Sequence, residues 1–570
     1  MMRGGFDAIV VGSGFGGAVT ACRLAERGQR VLVLERGRWW QPADYPRASD
    51  DDWIWDHSRP ERYNGWLDLR WFRGMGVAQG AGVGGGSLIF ANVVVDANPE
   101  TFEQGWPAEI TPAELQPYYE RVARMMNVQT LPSNQTTARY RLLHEAANAA
   151  GFERRFRPLP LAVTFDPDWH YGLDDPFSGR HTKTWMNEHG EMQGTCVHCG
   201  NCDIGCQVRA KNTLDVNYLA RAERLGADIR PLHMVTAVSP EAGAGGGYRV
   251  QFVRLDGGRR TPGSETAPIV VLAAGSLGST ELLLRCRDEH GTLPALSPRL
   301  GRNWSSNADF LTPAVYRGRV ISPTRGPTIT CAVDFLDGSE HGERFFIEDG
   351  GFPDMMHNLA EPTSARGRRT TLLMAAQGAS DRAAAMERTL RHTVALVRAG
   401  RQWNVPWRRA VRALARWGGR EDPLNNVMPW FAQGVDAADG VLYLGRTWRG
   451  RGRHELRMRW DVRRSRAVID AIIAMHTRLS RATGGRVRVP PSWSMMRHLV
   501  TPHPLGGCNM GTTPANGVVN HRGEVFGYPG LYVADGAIVP RALGLNPSKT
   551  IAALAERIVH LMMETPAARA

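Results

Sequence analysis

Short, unbroken apolar runs punctuate this chain, and most end in a glycine turn or an acid. Ala8-Ile-Val-Val11 carries no polar position, and neither does Val31-Leu-Val-Leu34 at the heart of residues 29–35. Such runs lack the alternation of a strand with one wet face and predict strands buried on both sides. Residues 267–272 and 530–534 repeat the pattern. Helical runs follow these strands at 18–27, at 279–285 and from Asn546-Pro547 through Glu556, where the proline suits a first turn. Strand, tight turn and helix in alternation predict a parallel sheet. Arg344-Phe-Phe-Ile-Glu348 predicts a strand of another kind, apolar but carrying an acid. At 570 residues the chain exceeds one ordinary core, so two lobes are expected.

The turns between these elements bring in chemistry. Gly12, Gly14 and Gly17 stand as G-x-G-x-x-G between the first strand and its helix, and Glu35 closes the second strand. The first glycine permits a tight turn, the second lets backbone approach a pyrophosphate, and the third allows close helix packing. A helix N-terminus offers its free N–H groups to phosphate, and a carboxylate after the second strand can accept from ribose hydroxyls. An adenine dinucleotide is therefore predicted. This fingerprint alone does not separate FAD from NAD.

Residues 80–92 hold a second glycine cluster, with Gly82, Gly84, Gly85 and Gly86 running into Ser87 and the apolar stretch before Asn92. So many glycines oppose regular structure and suit a loop wrapped closely around a ligand. Ala274-Gly275 ends the third buried strand, Asp535-Gly536 ends the fourth, and Asn546 opens the last helix.

In this order, and together with His503-Pro-Leu-Gly-Gly507, these segments resemble the glucose-methanol-choline (GMC) oxidoreductases. Those are flavoproteins whose FAD domain is assembled from distant pieces. Within that family the likeness is greatest to the bacterial cholesterol oxidase branch. The resemblance implies an α/β FAD-binding Rossmann-type domain interleaved with an α+β substrate domain on an antiparallel sheet. The FAD domain is expected to draw on residues 1–95, 207–300 and 500–570, and the substrate domain and cap on 96–206 and 301–499. It further implies that FAD is held by Gly12, Gly14, Phe15, Gly17, Glu35, the 82–87 loop, Asn92, Ala274, Gly275, Asp535, Gly536 and Asn546.

The implied reaction passes hydride from an alcohol carbon to flavin N5, giving a carbonyl. It needs a proton acceptor and a group that holds the oxygen. His503, bracketed by prolines, suits acid–base work or hydroxyl positioning. Asn546 can donate to the substrate oxygen or the flavin edge, and can also cap its helix. Glu348 matches the place of an active-site glutamate in the steroid-oxidising relatives and is expected to take the hydroxyl proton, with Asp349 as its rival. A sterol or other bulky apolar alcohol is the expected substrate, although residues 301–494 resemble the steroid enzymes least. Two other readings stand beside this one. One is a non-redox FAD-containing lyase, and the other is a dehydrogenase of another alcohol or sugar.

The second reading draws on Cys196, Cys199, Cys202 and Cys206, half of the eight cysteines. Their C-x2-C-x2-C-x3-C spacing is that of a bacterial ferredoxin run without its following proline. An iron–sulfur cluster there would carry electrons to a quinone or redox protein, whereas an oxidase would use oxygen.

Charge adds one more expectation. With 69 basic against 56 acidic residues the net charge is +13, and arginines crowd residues 382–420 among apolar residues and Trp403, Trp407 and Trp417. Such a segment can lie on an anionic bilayer. No recognisable nucleic-acid-binding module accompanies the charge. With neither an apolar run long enough to span a bilayer nor a leader-like N-terminus, the expected location is cytoplasmic, with peripheral contact at the inner membrane surface.

Overall fold

The computed structural model describes residues 5–45, 53–241, 246–353, 424–446 and 454–564. The basic stretch at 382–420 lies outside the described residues. The four apolar runs, joined at one edge by the unforeseen charged strand Asp228–Arg230, form a five-stranded parallel sheet in the order Asp228–Arg230, Val31–Leu34, Ala8–Val11, Ile269–Leu272, Leu531–Val533. Ala8 to Val10 and Val270 to Leu272 are wholly inaccessible, as their lack of polar positions requires.

Helix Phe15–Ala25 follows the first strand, and helix Ser548–Glu564 packs beside it. Arg23 on the former reaches Glu556 on the latter through two nitrogens at 2.8–2.9 Å, and Tyr218 donates to the same carboxylate at 2.9 Å. Helix Gly275–Leu284 begins four residues earlier than the sequence suggested. Its glycines oppose helix, but Gly275 N–H donates to Asp535 at 2.8 Å and Ala274 N–H to Ser279 Oγ at 3.0 Å. A carboxylate from a distant segment thus serves the helix start.

The second sheet is six-stranded and antiparallel, in the order Arg486–Val487, Phe310–Val315, Val427–Gly434, Phe345–Glu348, Cys331–Phe335, Phe156–Pro158. Helices Arg466–Ala482 and Ala138–Ala149 pack against one of its faces. There His476 hydrogen-bonds Thr312 at 2.9 Å and Trp430 donates to Ser480 at 2.7 Å. Strand residues alternate between faces, so Leu311, Phe431 and Glu348, which register side by side, share the opposite face. A small sheet pairs Leu499–Thr501 in parallel with Met75–Gly80 and so delivers the chain to His503. Among the described residues, no helix is long and apolar enough to cross a membrane.

Candidate active site

Four distant segments meet backbone to backbone at the carboxyl ends of the parallel sheet. A Cβ on Gly85 would stand 2.6 Å from Gly14 Cα, and one on Gly12 would stand 2.5 Å from the Ala273 carbonyl oxygen. Only glycine permits either contact. Gly85–Leu88 closes into a single 3-10 turn, the tight bend expected of the loop. Ser13 ties the loop to the fingerprint, since its hydroxyl accepts from Gly84 N–H at 3.1 Å and donates to Glu35 at 2.7 Å. Glu35 also accepts from the N–H groups of Ser13 and Gly37 and keeps accepting capacity for ribose. Asp535 accepts from Gly275 N–H, Ser279 Oγ and Ala537 N–H, and burial lifts its carboxyl to about 6.

The residues present fit FAD. Helix Phe15–Ala25 starts at Gly14 with no side-chain cap, leaving its first N–H groups to a phosphate. Phe15 packs edge-on against Phe90, with ring centroids 5.6 Å apart. Asn92 is wholly buried in a left-handed conformation, and neither polar atom of its side chain has a protein partner. A buried amide in that state calls for a ligand.

His503 stands beside these segments. Its backbone N–H donates to Thr501 Oγ at 2.8 Å, and its ring Nδ1 lies 2.8 Å from Asp309 Oδ1. Thr501 Oγ donates to the other oxygen of Asp309 through a short hydrogen bond. An ionised carboxylate only accepts, so Nδ1 is the nitrogen that donates to Asp309. Asp309 is shut off from solvent, and burial raises its carboxyl although His503 and Thr501 pull it down.

The backbone leading to Asp309 is strained. Asn307 and Ala308 are both left-handed, with φ of 57° and 47°, which costs a non-glycine residue about 1–2 kcal/mol each. Ser305 and Ser306 hold them, accepting from Asn307 N–H at 2.9 Å and Ala308 N–H at 3.2 Å. Both serines in turn bond the buried Asp436, at 2.7 and 2.9 Å.

Glu348 is wholly buried on the face that carries Phe431 and Leu311. Gln433 donates to its Oε2 at 2.8 Å, while Oε1 has no partner. Burial lifts its carboxyl to about 8, opposed by Gln433 and Asn546 and assisted by the Asp349 charge. Asp349 is used structurally instead, accepting from Thr330 and Cys331 and lying 3.5 Å from Arg139. Phe431 neighbours both groups: it registers opposite Glu348, and its ring centroid is 6.2 Å from the His503 imidazole. Asn546 Oδ1 is buried without a partner, so its side chain does not cap the helix as expected.

Asp309, Asn307 and Gln433 were not singled out in the sequence. Ser305-Ser-Asn-Ala-Asp309 reads as an ordinary polar loop before a strand, and only its length between two aromatics, Trp304 and Phe310, marks it.

The cysteine turn answers its expectation less directly. Among the described residues no group of three or more His, Cys, Asp or Glu is placed to hold a metal ion. Within the turn, Cys196 Sγ accepts from His198 N–H at 3.4 Å and Cys206 Sγ from Ala210 N–H at 3.2 Å. All four thiols nevertheless line one small cavity with Lys211. The Lys211 ammonium donates to the carbonyls of Cys202 at 2.7 Å and Leu88 at 3.2 Å, linking the turn to the glycine loop.

Comparison with known proteins bears on the family and the fold. Residues 443–555 match the GMC oxidoreductase family, and residues 10–38 match an NAD(P)-binding Rossmann-like domain. A cholesterol oxidase of Mycobacterium tuberculosis (strain ATCC 25618 / H37Rv) is 32% identical over 98% of this chain and 91% of its own length. A cholesterol oxidase of Acinetobacter baumannii is 27% identical over 97% and 93%. The solved pyridoxine 4-oxidase from Mesorbium loti shares the fold, with a TM-score of 0.60 at 16% identity, covering 98% of this chain and 99% of that one. Fold, cradle and relatives define an FAD-dependent oxidoreductase acting on CH–OH donors. The chain belongs to the GMC oxidoreductases, in their cholesterol-oxidase-like branch.

Proposed function

We propose that the protein oxidises a bulky apolar alcohol of the sterol kind to its carbonyl. The carrying observation is the His503–Asp309 pair at 2.8 Å, beside a sheet face that presents Glu348 among Phe431 and the 44% exposed Leu311. When bound, FAD supplies the hydride acceptor. His503 Nε2 takes the hydroxyl proton, and Asp309 supports the imidazolium that results. We assign the proton to His503 rather than to Glu348 because Glu348, lifted to about 8, is neutral near pH 7 and donates instead. Its O–H and the Asn546 amide then hold the oxygen as it becomes a carbonyl. Leu311 and Phe431 supply an apolar wall suited to a large hydrocarbon. The full-length cholesterol oxidase relatives support the sterol class, and their name supports oxygen as acceptor.

Visible spectra of anaerobic holoenzyme, with a detergent-dispersed sterol and simpler alcohols, test this reading. Bleaching by the sterol supports it. A flavin that no alcohol bleaches overturns it in favour of the lyase alternative. Flotation with anionic vesicles would examine the membrane contact proposed for 382–420, where a bilayer-borne alcohol would be met.

A second reading is favoured by the shared cavity of the four cysteines and by the lysine bridge to Leu88. Cys196, Cys199, Cys202 and Cys206 would hold an iron–sulfur cluster, which supplies one-electron transfer toward a quinone or redox protein. Stoichiometric iron and acid-labile sulfide support it, and a yellow protein free of both retires it.

A further inference from the structure

We propose that residues 307–309 form a two-armed clamp that positions the two reacting-side groups, His503 through Asp309 and Asn546 through Asn307. The proposal rests on the alcohol reading only for its kinetic readout. One arm is the Asp309 carboxylate, on His503 Nδ1 at 2.8 Å and on Thr501, two residues before that histidine. The other is the Asn307 side chain, whose Oδ1 accepts from the N–H groups of Leu543 at 3.0 Å and Gly544 at 2.9 Å. Its Nδ2 donates to the Leu545 carbonyl at 2.9 Å, the peptide that joins Asn546.

These three residues therefore tie together two turns that lie about 40 residues apart in the chain, with each arm a complete set of directional bonds. The left-handed pair Asn307–Ala308 lies between the two arms, whose side chains, Asn307 and Asp309, bond the 543–545 turn and the 501–503 turn respectively. That backbone is fixed from behind by the serines and Asp436, and from the sheet by Gly434 N–H on the Asn307 carbonyl at 3.0 Å. Strain maintained by so many partners marks a position set for function. Asp309 and Asn307 are positioning residues; neither is assigned contact with substrate.

Holoenzyme with ¹⁵N-labelled histidine tests the clamp, with His503→Gln identifying the resonance. The expected wild-type signal is the Nδ1–H tautomer. In Asp309→Asn the amide can donate to Nδ1 and block Nε2, so the tautomer should change. The rate of flavin reduction by alcohol should fall on the order of 100-fold or more, with KM and FAD content little altered. Asn307→Gly accepts the backbone angle but removes the other arm. It should keep the His503 tautomer and slow reduction about tenfold, the scale of a lost positioning bond. A wild-type Nε2–H tautomer overturns the Asp309 arm whatever the variants do, as does an Asp309→Asn enzyme with unchanged tautomer and rate. A wild-type rate in Asn307→Gly overturns the second arm. Should no alcohol bleach the wild-type flavin, the alcohol reading falls and the tautomers alone decide on Asp309.

Discussion

Glu348 and Asp349 are consecutive and both wholly buried, yet their carboxyl groups meet opposite surroundings. Glu348 is the last residue of its strand and Asp349 follows just beyond it. Asp349 is saturated by Thr330, Cys331 and Arg139, whereas Glu348 accepts from Gln433 and keeps Oε1 open on the face shared with Phe431. The rivalry between these acids in the sequence thus divides into a structural role and a candidate chemical one.

The first consequence concerns activity against pH. Below about 8 Glu348 is neutral and can donate; above it, a buried anion would face an apolar alcohol. Wild-type flavin reduction should therefore decline as pH rises through about 8. Glu348→Gln keeps a donor, so its rate at pH 7 should stay within about tenfold of wild type and its alkaline decline should vanish. Stopped-flow reduction across pH 6–10 checks this. A variant slower by on the order of 1000-fold would make Glu348 the proton acceptor.

Stability should carry the same signature. The unfolded chain ionises Glu348 near 4.5, while the folded protein holds the proton up to about 8. Between those values the folded state binds more protons, so this group weakens the fold progressively as pH rises. Glu348→Gln removes the effect. Its Tm advantage over wild type should be smallest near pH 5 and largest near pH 8, as read by thermal unfolding of matched holoenzymes.

Asp349→Ala should act on the fold instead. It strands the Arg139 guanidinium, whose side chain is fully buried, and removes the acceptor for two backbone N–H groups. Breaking a buried pair in this way costs about 3–5 kcal/mol. Urea unfolding should show that loss, and a cost under about 1 kcal/mol would mean that the Thr328 and Pro327 carbonyls, which also accept from Arg139, suffice for it.

Four strands of the parallel sheet were legible as apolar runs, as in Val31-Leu-Val-Leu34, whereas the half-buried edge strand Asp228–Arg230 carries two charges and leaves no such signal. The glycine loops were legible because close backbone approach excludes every other residue type. Glu348 could be picked out as an acid in an apolar run. Asp309 could not, since its partner His503 is brought to it only by tertiary pairing, through Ser305 on Leu505 and through Leu499–Thr501 on Met75–Gly80. Gln433 stayed hidden for the same reason, because a cross-strand neighbour leaves no trace in local pattern. The cysteine spacing shows the converse: a strong linear signal brings the four cysteines to one cavity, yet no group of three or more His, Cys, Asp or Glu among the described residues is placed to hold a metal ion.

The cradle itself can be tested with one methyl group. Gly85 has φ of 50°, and a Cβ there would press on Gly14 Cα at 2.6 Å, so the two glycine loops would have to part. Gly28 has φ of 75° but nothing within 4 Å of its Cβ. Alanine at either site bears a left-handed cost of about 1–2 kcal/mol, and only at Gly85 does a collision between ligand-binding loops join it. Gly28→Ala should thus lower Tm slightly and leave FAD affinity unchanged. Gly85→Ala should weaken FAD binding by on the order of tenfold or more, each tenfold being about 1.4 kcal/mol. Titrating each apoprotein with FAD, followed by flavin fluorescence, separates the two effects. Equal affinity in both variants would show that contact between the loops does not shape the FAD site.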